Sequence, residues 1–412
     1  MEKPDLLATS IPIYEVRFDP NADAITEELF YDSVDSLAWY LSDLFKDRSL
    51  ASYKRELIDA RENGERYHLI KRKVKYTELK EMKEFPLFRR GKYKGGFIFL
   101  QHNRRERPFK ILAARTIGYE RDGVTPVGLE GAYKEELKGI DGKRLMQKIA
   151  GGVWMPVGDE NEIEPEDGKD IYTTIDVNLQ DVAESALLKQ LQKHKADHGC
   201  VVLMEVKTGA VKAIANLKRT ESGGYYEGYN YAIGESTEPG STFKLAGLVA
   251  AIEDGYVDME DMVDCGNGSK KYYDRTMYDS NYDDGGWEKI TVKRVFEVSS
   301  NIGMAEIILK SYGQNPQMYI DRLEQMNLTK PLNIEIAGEG EPYIKNTSDK
   351  SWSGISLAWM AHGYELQQTP LQILTFYNAI ANDGVMVKPM FVDKITKGGK
   401  LDNTIAPVVL NP

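Results

Sequence analysis

The feature that most limits how this 412-residue chain can fold is an acidic break carrying glycine and proline. It runs Gly158-Asp159-Glu160-Asn161-Glu162 and then Glu164-Pro165-Glu166-Asp167-Gly168. A chain of this length exceeds one ordinary domain. Such a polar, turn-forming stretch is where few contacts are expected to cross. It predicts two domains, residues 1–165 and 166–412. Before the break, charge-rich helical stretches alternate with short apolar runs such as Ile11-Pro12-Ile13-Tyr14 and Phe97-Ile98-Phe99-Leu100, with no internal repeat and no catalytic constellation.

After the break the local signals sharpen. Asp176 is placed to cap a helix whose apolar positions Leu179, Ala183, Leu187 and Leu191 recur every fourth residue. Val201-Val202-Leu203-Met204 and Ala210-Val211-Lys212-Ala213-Ile214-Ala215 flank Lys207-Thr208-Gly209 and predict a β-hairpin. A helix is expected from about Ser241 through Leu245, Leu248, Val249 and Ile252 toward Gly255. Thr369-Pro370 predicts another, a cap followed by proline at the first helical position, with Gly384 past its end. Helix, hairpin and further helices indicate an α+β domain, an α/β sandwich built on an antiparallel sheet.

Composition removes several classes. Apolar residues make up 42% and aromatic residues 10%, enough for packed cores. A formal net charge of −11 disfavours nucleic acid, whose binding rests on neutralising phosphates. The basic runs Lys71-Arg72-Lys73 and Arg104-Arg105 read as solvated faces. No stretch approaches the roughly 18 apolar residues of a membrane span, and no apolar core follows Met1-Glu2-Lys3-Pro4-Asp5 to make a secretory signal. Cys200 and Cys265 are too few for a disulfide framework, and Cys200, beside Val201-Val202-Leu203, reads as a buried apolar residue. His194 and His198 are four apart but lack a third ligand, so no metal is assigned. Tyr225, Tyr226, Tyr229, Tyr272 and Tyr273 are expected in loops, packed or lining a groove.

Chemistry concentrates in two short segments. In Pro239-Gly240-Ser241-Thr242-Phe243-Lys244, residues three apart share a helix face, which lets Lys244 reach toward the Ser241 hydroxyl. Serine needs a base to become a nucleophile, and a buried lysine can serve as one. In Val298-Ser299-Ser300-Asn301-Ile302-Gly303, the Ser299 hydroxyl could relay a proton and the Asn301 carboxamide could hold a peptide amide. Each has a plainer reading alone: a capping serine beside an exposed lysine, and a Ser/Asn cap between two helices. A chain of this size produces roughly one Ser-x-x-Lys by chance, so it is the ordered pair that carries weight.

Ser-x-x-Lys followed by Ser-x-Asn is the active-serine signature of penicillin-binding proteins and serine β-lactamases. The text around it resembles a class B penicillin-binding protein: Tyr172 to Gln180, Glu205 to Val211, Glu238 to Lys244, Gly363 to Gln372 and Ile380 to Gly384. Upstream, Ala113-Ala114-Arg115-Thr116-Ile117-Gly118 and Gly128-Leu129-Glu130-Gly131 resemble the non-catalytic, dimerisation-type pedestal domain of that class. The Arg115-Thr116-Ile117-Gly118 context leans toward its septal, cell-division branch over the elongation branch.

The resemblance implies a serine D,D-transpeptidase that needs no cofactor. Ser241 would be the nucleophile on D-Ala-D-Ala stem peptides and its N–H half of an oxyanion hole; Lys244 would be the base, Ser299 the proton relay and Asn301 the peptide-positioning residue. Implied partners are peptidoglycan stem peptides, glycan derived from lipid-linked precursors, β-lactam antibiotics, a glycosyltransferase and other division proteins. The implied location is the periplasmic face of the cytoplasmic membrane, with an N-terminal anchor not present here. The family's third motif, Lys-Thr/Ser-Gly after Ser-x-Asn, is not found. Lys207-Thr208-Gly209 precedes the nucleophile and reads as a turn, and Lys397-Gly398-Gly399 lacks the hydroxyl. The expectation is therefore a chain that lacks the anchor and the last strands and final helix of the catalytic domain, with an exposed apolar sheet edge and no activity of its own for want of the third motif. A non-catalytic scaffold of the division machinery, an elongation-specific transpeptidase, and a β-lactam sensor or β-lactamase remain as alternatives.

Overall fold

The structure, a computed structural model, describes residues 5–121, 123–148, 154–156 and 162–410. Residues 158–161 of the acidic break and the opening Met1-Glu2-Lys3 lie outside the described residues. The chain forms two compact units that interleave in sequence: Met1–Phe109 with Asp141–Glu166, and Lys110–Ile140 with Asp167–Pro412. The acidic break holds one crossing. Two earlier crossings, at Phe109/Lys110 and Ile140/Asp141, put residues 110–140 with the second unit, where the sequence pattern had grouped them with the first.

In the first unit, β1 (Thr9–Phe18) is the middle strand of an antiparallel sheet, because alternate residues Tyr14, Val16 and Phe18 turn inward. Two helices follow. α1 (Glu27–Phe45) is capped by the Thr26 hydroxyl, which accepts from the Leu29 N–H, and α2 (Leu50–Glu62) is capped by Ser49. β2 (His68–Lys75) and β3 (Phe97–Glu106) pair with the two edges of β1. Phe30, Val34, Leu37 and Leu41 of α1 and Tyr53 and Leu57 of α2 build the core on one side of the sheet. Charges around the α2–β2 side meet opposite charges: Arg48 pairs with Glu56 and Lys71 with Asp47. His68 sits between Glu65 (2.7 Å from Nδ1) and Glu56 (3.1 Å from Nε2).

In the second unit, β4 (Asp170–Thr173) leads to α3 (Val177–His194), whose Asp176 cap accepts from the N–H groups of Asn178 and Leu179. The buried stripe of α3 runs through Gln180, Leu187 and Leu191, not through Leu179, which is exposed. Gln180 takes the inward place because its amide bonds both the N–H and the C=O of Ile214. The hairpin is present as β5 (His198–Met204) and β6 (Val211–Arg219), antiparallel, with β7 (Tyr225–Tyr226) on the far side of β6. Among the described residues no strand pairs with the other edge of β5, where Leu203 is exposed.

Pro239 and Gly240 lead into a 3-10 segment, Gly240–Phe243, and only then into α4 (Lys244–Glu253). The expected helix therefore begins as a tighter turn, set by Gly240 at φ +56°. β8 (Ser269–Tyr272) and β9 (Arg275–Tyr278) form a hairpin, followed by α5 (Val292–Glu297) and α6 (Asn301–Tyr312). β10 (Tyr343–Ile344) pairs with β11 (Leu366–Gln367), ahead of α7 (Pro370–Ala381), which carries a full capping box from Thr369 and Gln372. β12 (Val392–Lys397) lies between β4 and β13 (Lys400–Thr404). Phe243, Ala246 and Ala250 of the α4 region pack with Ile302, Met304, Ala305 and Ile308 of α6 in the main core. That packing puts the starts of α4 and α6 side by side. Among the described residues no helix is long and apolar enough to cross a membrane.

Candidate active site

The site begins with the way α6 starts. Ser300 is its N-cap, with its hydroxyl accepting from the Gly303 N–H at 2.9 Å. The Asp279 carboxylate, buried just after β9, accepts from the Ser300 hydroxyl (2.7 Å) and from the N–H groups of Asn301 (2.6 Å) and Ile302 (3.1 Å). An anion there satisfies donors that have no partner inside the helix and suits the positive end of its dipole. Gly303 lets this helix start approach α5 closely, since a Cβ there would lie 2.6 Å from a Val295 methyl. Cys265 lies beneath, 3.6 Å from the Ser300 hydroxyl.

With α6 held, the residue before its cap is bent. Ser299 has φ +54°, a left-handed conformation that a non-glycine residue rarely adopts. The bend turns both its carbonyl and its hydroxyl toward α4. Lys244 Nζ donates to Ser299 O at 2.5 Å, to Ser299 Oγ at 3.0 Å and to Asn301 Oδ1 at 2.7 Å. The Asn301 amide is oriented in turn by donating to Tyr278 O at 2.9 Å. Lys244 is only 1% exposed, and burial pushes its ammonium down to about 8, with the Asp279 charge acting in the opposite direction. A lysine in this state is available as a base near neutral pH.

Ser241 lies one turn before Lys244, exposed, in the 3-10 segment, where side chains at i and i+3 fall in line. Among the described residues Lys244 donates to three acceptors, and the Ser241 hydroxyl is not one of them. The pairing expected from spacing is thus replaced here by a lysine turned toward Ser299 and Asn301. The Ser241 N–H falls in the first turn and finds no carbonyl acceptor within it. The turn is anchored from outside. The Gly240 N–H donates to Gly363 O at 3.1 Å, Tyr377 OH donates to Thr242 O at 2.9 Å, and the Glu365 N–H donates to Glu238 Oε1 at 3.1 Å. Gly363, at φ +87°, lies so close that a Cβ would sit 1.9 Å from Gly240 O. Lys345, nearly buried, pairs with Glu365 at 2.9 Å.

Of the four residues singled out by the motifs, Lys244, Ser299 and Asn301 are thus bonded to one another at the starts of α4 and α6, while Ser241 stands exposed one turn before Lys244. Two residues escaped sequence reasoning. Asp279 stands 22 positions before Asn301 and obeys no spacing rule. His362, buried beside this site, is isolated in sequence and gave no signal.

The remaining candidates fall elsewhere. Lys207-Thr208-Gly209 is the turn between β5 and β6, and Lys397-Gly398-Gly399 is the turn between β12 and β13. His194 ends α3, while His198 bonds Glu235 at 2.8 Å and stacks on Tyr231. Tyr225 donates to the carbonyls of Leu191 and Ala196, and buried Tyr272 bonds Glu306. Tyr226, Tyr229 and Tyr273 are exposed. Cys200 is half-buried rather than fully buried, with burial pushing its thiol up to about 11.

An exposed serine, a desolvated lysine three residues on, and a hydroxyl and carboxamide on that lysine's far side make a set suited to acyl transfer. Known proteins share the fold. The model of the penicillin binding protein transpeptidase domain matches residues 199–411. The probable peptidoglycan D,D-transpeptidase PenA of Neisseria meningitidis is 26% identical over 340 residues, covering 80% of this chain and 55% of that protein. The peptidoglycan D,D-transpeptidase FtsI of Buchnera aphidicola is 26% identical over 308 residues, covering 73% and 51%. The chain thus spans about half the length of the curated relatives it matches. The crystal structure of penicillin binding protein 2X from Streptococcus thermophilus superposes with a TM-score of 0.80 at 22% identity, over 98% of this chain and 60% of that one.

Proposed function

Because this chain belongs to the penicillin-binding protein transpeptidase family, we propose that it is a peptidoglycan cross-linking D,D-transpeptidase acting through a serine acyl-enzyme. Ser241 Oγ attacks the carbonyl of the penultimate D-alanine of a stem peptide while its proton passes to neutral Lys244. The tetrahedral oxygen takes a hydrogen bond from the Ser241 N–H. Lys244 returns the proton through Ser299 Oγ to the leaving nitrogen, the C–N bond breaks, and the terminal D-alanine departs as a neutral amine. Asn301 holds the peptide backbone. The amine of a second stem peptide then attacks the ester, its proton returns to Ser241 Oγ, and the cross-link is complete. A β-lactam ring opens on the same serine.

The observation that carries this reading is Lys244, buried to 1% exposure, pushed down to about 8, and joined to Ser299 and Asn301 by three hydrogen bonds. A capping serine beside a solvated lysine would need none of these. The first unit serves as a non-catalytic pedestal. The Arg115-Thr116-Ile117-Gly118 segment favours septal wall synthesis, at the periplasmic face of the cytoplasmic membrane, with a glycosyltransferase and division proteins as partners.

The test is intact mass after incubation with benzylpenicillin, with Ser241→Ala as control. The expected result is one covalent adduct on the wild type and none on the variant. A folded wild-type chain that gains no mass would overturn the reading and favour a non-catalytic scaffold.

A further inference from the structure

His362 lies in the turn after the short helix Ser356–Met360. Its side chain is 5% exposed, edge-on to the Tyr364 ring at 4.9 Å and tilted against Trp359. Neither Nδ1 nor Nε2 has a hydrogen-bond partner. Buried polar atoms are nearly always paired, and a phenyl ring would fill this space with no unpaired nitrogen. The turn that carries His362 is also the one pressed on the nucleophile's turn, through Gly363 O and the Gly240 N–H. Burial, and after it the charge of Lys244, hold the imidazole down to about 4. The ring is therefore neutral across the range in which Lys244 titrates, with one nitrogen as acceptor.

Lys244 has a complementary need. Its three hydrogen bonds are all taken by Ser299 O, Ser299 Oγ and Asn301 Oδ1. To collect a proton from Ser241 it must turn away from at least one of them. We propose that His362 is a positioning residue for Lys244, its neutral ring nitrogen accepting a hydrogen bond from the Lys244 ammonium, directly or through one water, once that ammonium carries the proton taken from Ser241. The proton moves from Ser241 Oγ to Lys244 Nζ, and His362 neither gains nor loses one. Lys244 acts on His362 from α4, and three further titratable groups surround the pair. Asp279 acts on Lys244 from the segment after β9, Tyr364 covers the ring from its own turn, and Tyr272 of β8 reaches it through Trp359.

The proposal rests on the roles given above to Ser241 and Lys244, and two measurements separate its failure from theirs. The first follows the imidazole nitrogen resonances of isotope-labelled wild type with pH; His362, one of five histidines, is assigned by the loss of its signal in His362→Gln. An inflection is expected where Lys244 titrates, and it should vanish in Lys244→Met. No inflection overturns the proposal, whether or not Ser241 is acylated. The second follows benzylpenicillin acylation against pH. In His362→Phe the ammonium loses an acceptor, so the acid limb should move to lower pH by about half a unit and the plateau should fall by about tenfold. His362→Gln, which keeps an acceptor, should recover part of both. An acid limb that stays in place in His362→Phe reduces the residue to packing and overturns the proposal. A wild type that is never acylated refutes the catalytic reading instead, while the resonance test still stands.

Discussion

His68 in the first unit and His362 in the second are the same residue in opposite surroundings. His68 lies between two carboxylates and its proton affinity is raised, first by its bond to Glu56. His362 is buried among rings beside a lysine, has no partner, and its proton affinity is lowered. The contrast extends to the lysines. Lys71 meets Asp47 at 2.5 Å, whereas Lys244 meets only neutral oxygens and is desolvated. Where each cation is given an anion, the result is a stitched surface. Where a cation is deprived of one, its proton becomes easy to remove, which is what a base requires.

The largest effect that could break this contrast concerns Lys244. Lys244→Met should slow benzylpenicillin acylation by roughly 10³-fold or more, read by stopped-flow or intact mass. The melting temperature should hold, because a desolvated charge leaves together with its three bonds. A variant that melted early while still acylating would mark Lys244 as structural.

His362 comes next. Its folded-state value of about 4 lies below the unfolded value near 6.5, so the unfolded chain binds more protons between the two. Stability is complete above about pH 6.5 and falls as pH drops toward 4, by about 3 kcal/mol in urea unfolding of the second unit. His362→Phe should flatten that slope.

Gly303→Ala should cost about 1–3 kcal/mol by overpacking against Val295, seen in the second unit's transition and not in the first's. The smallest effect belongs to His68→Gln, up to about 1 kcal/mol, as for other partly exposed ion pairs. Its sign is reversed. With the folded value raised, the contribution is complete below the unfolded value near 6.5 and fades as pH climbs through the folded one. Mild acid should therefore favour the first unit just as it weakens the second, and parallel slopes would erase the comparison.

Much of the site was legible because its chemistry is written in short spacings. Ser241 to Lys244 and Ser299 to Asn301 each span less than one helical turn, and the caps Asp176 and Thr369 announce their helices directly. Beyond that reach the text falls silent. Asp279 acts across 22 positions, and His362 comes beside the Ser241 turn only because Gly363 packs on Gly240. The 3-10 start at Ser241 follows from the backbone of Gly240, which residue identity hints at without fixing. The grouping of residues 110–140 with the second unit had no local signature, since it depends on partners far along the chain. Glu184 accepts from the Ala113 N–H, Glu227 from the Arg115 N–H, and Thr116 Oγ1 from Asn230 Nδ2.

That interleaving bears on how such a molecule is inherited and cut. A gene junction placed after residue 166 would carry α3, α4 and α6 into a new host but leave behind Thr116, Ile117 and Leu129, all buried in the same unit. The transplanted piece would arrive with Glu227 still holding the Asn216 N–H but without the Arg115 backbone it had also held. Exchange of this unit between relatives therefore calls for two linked segments, since a single junction between the halves would divide it.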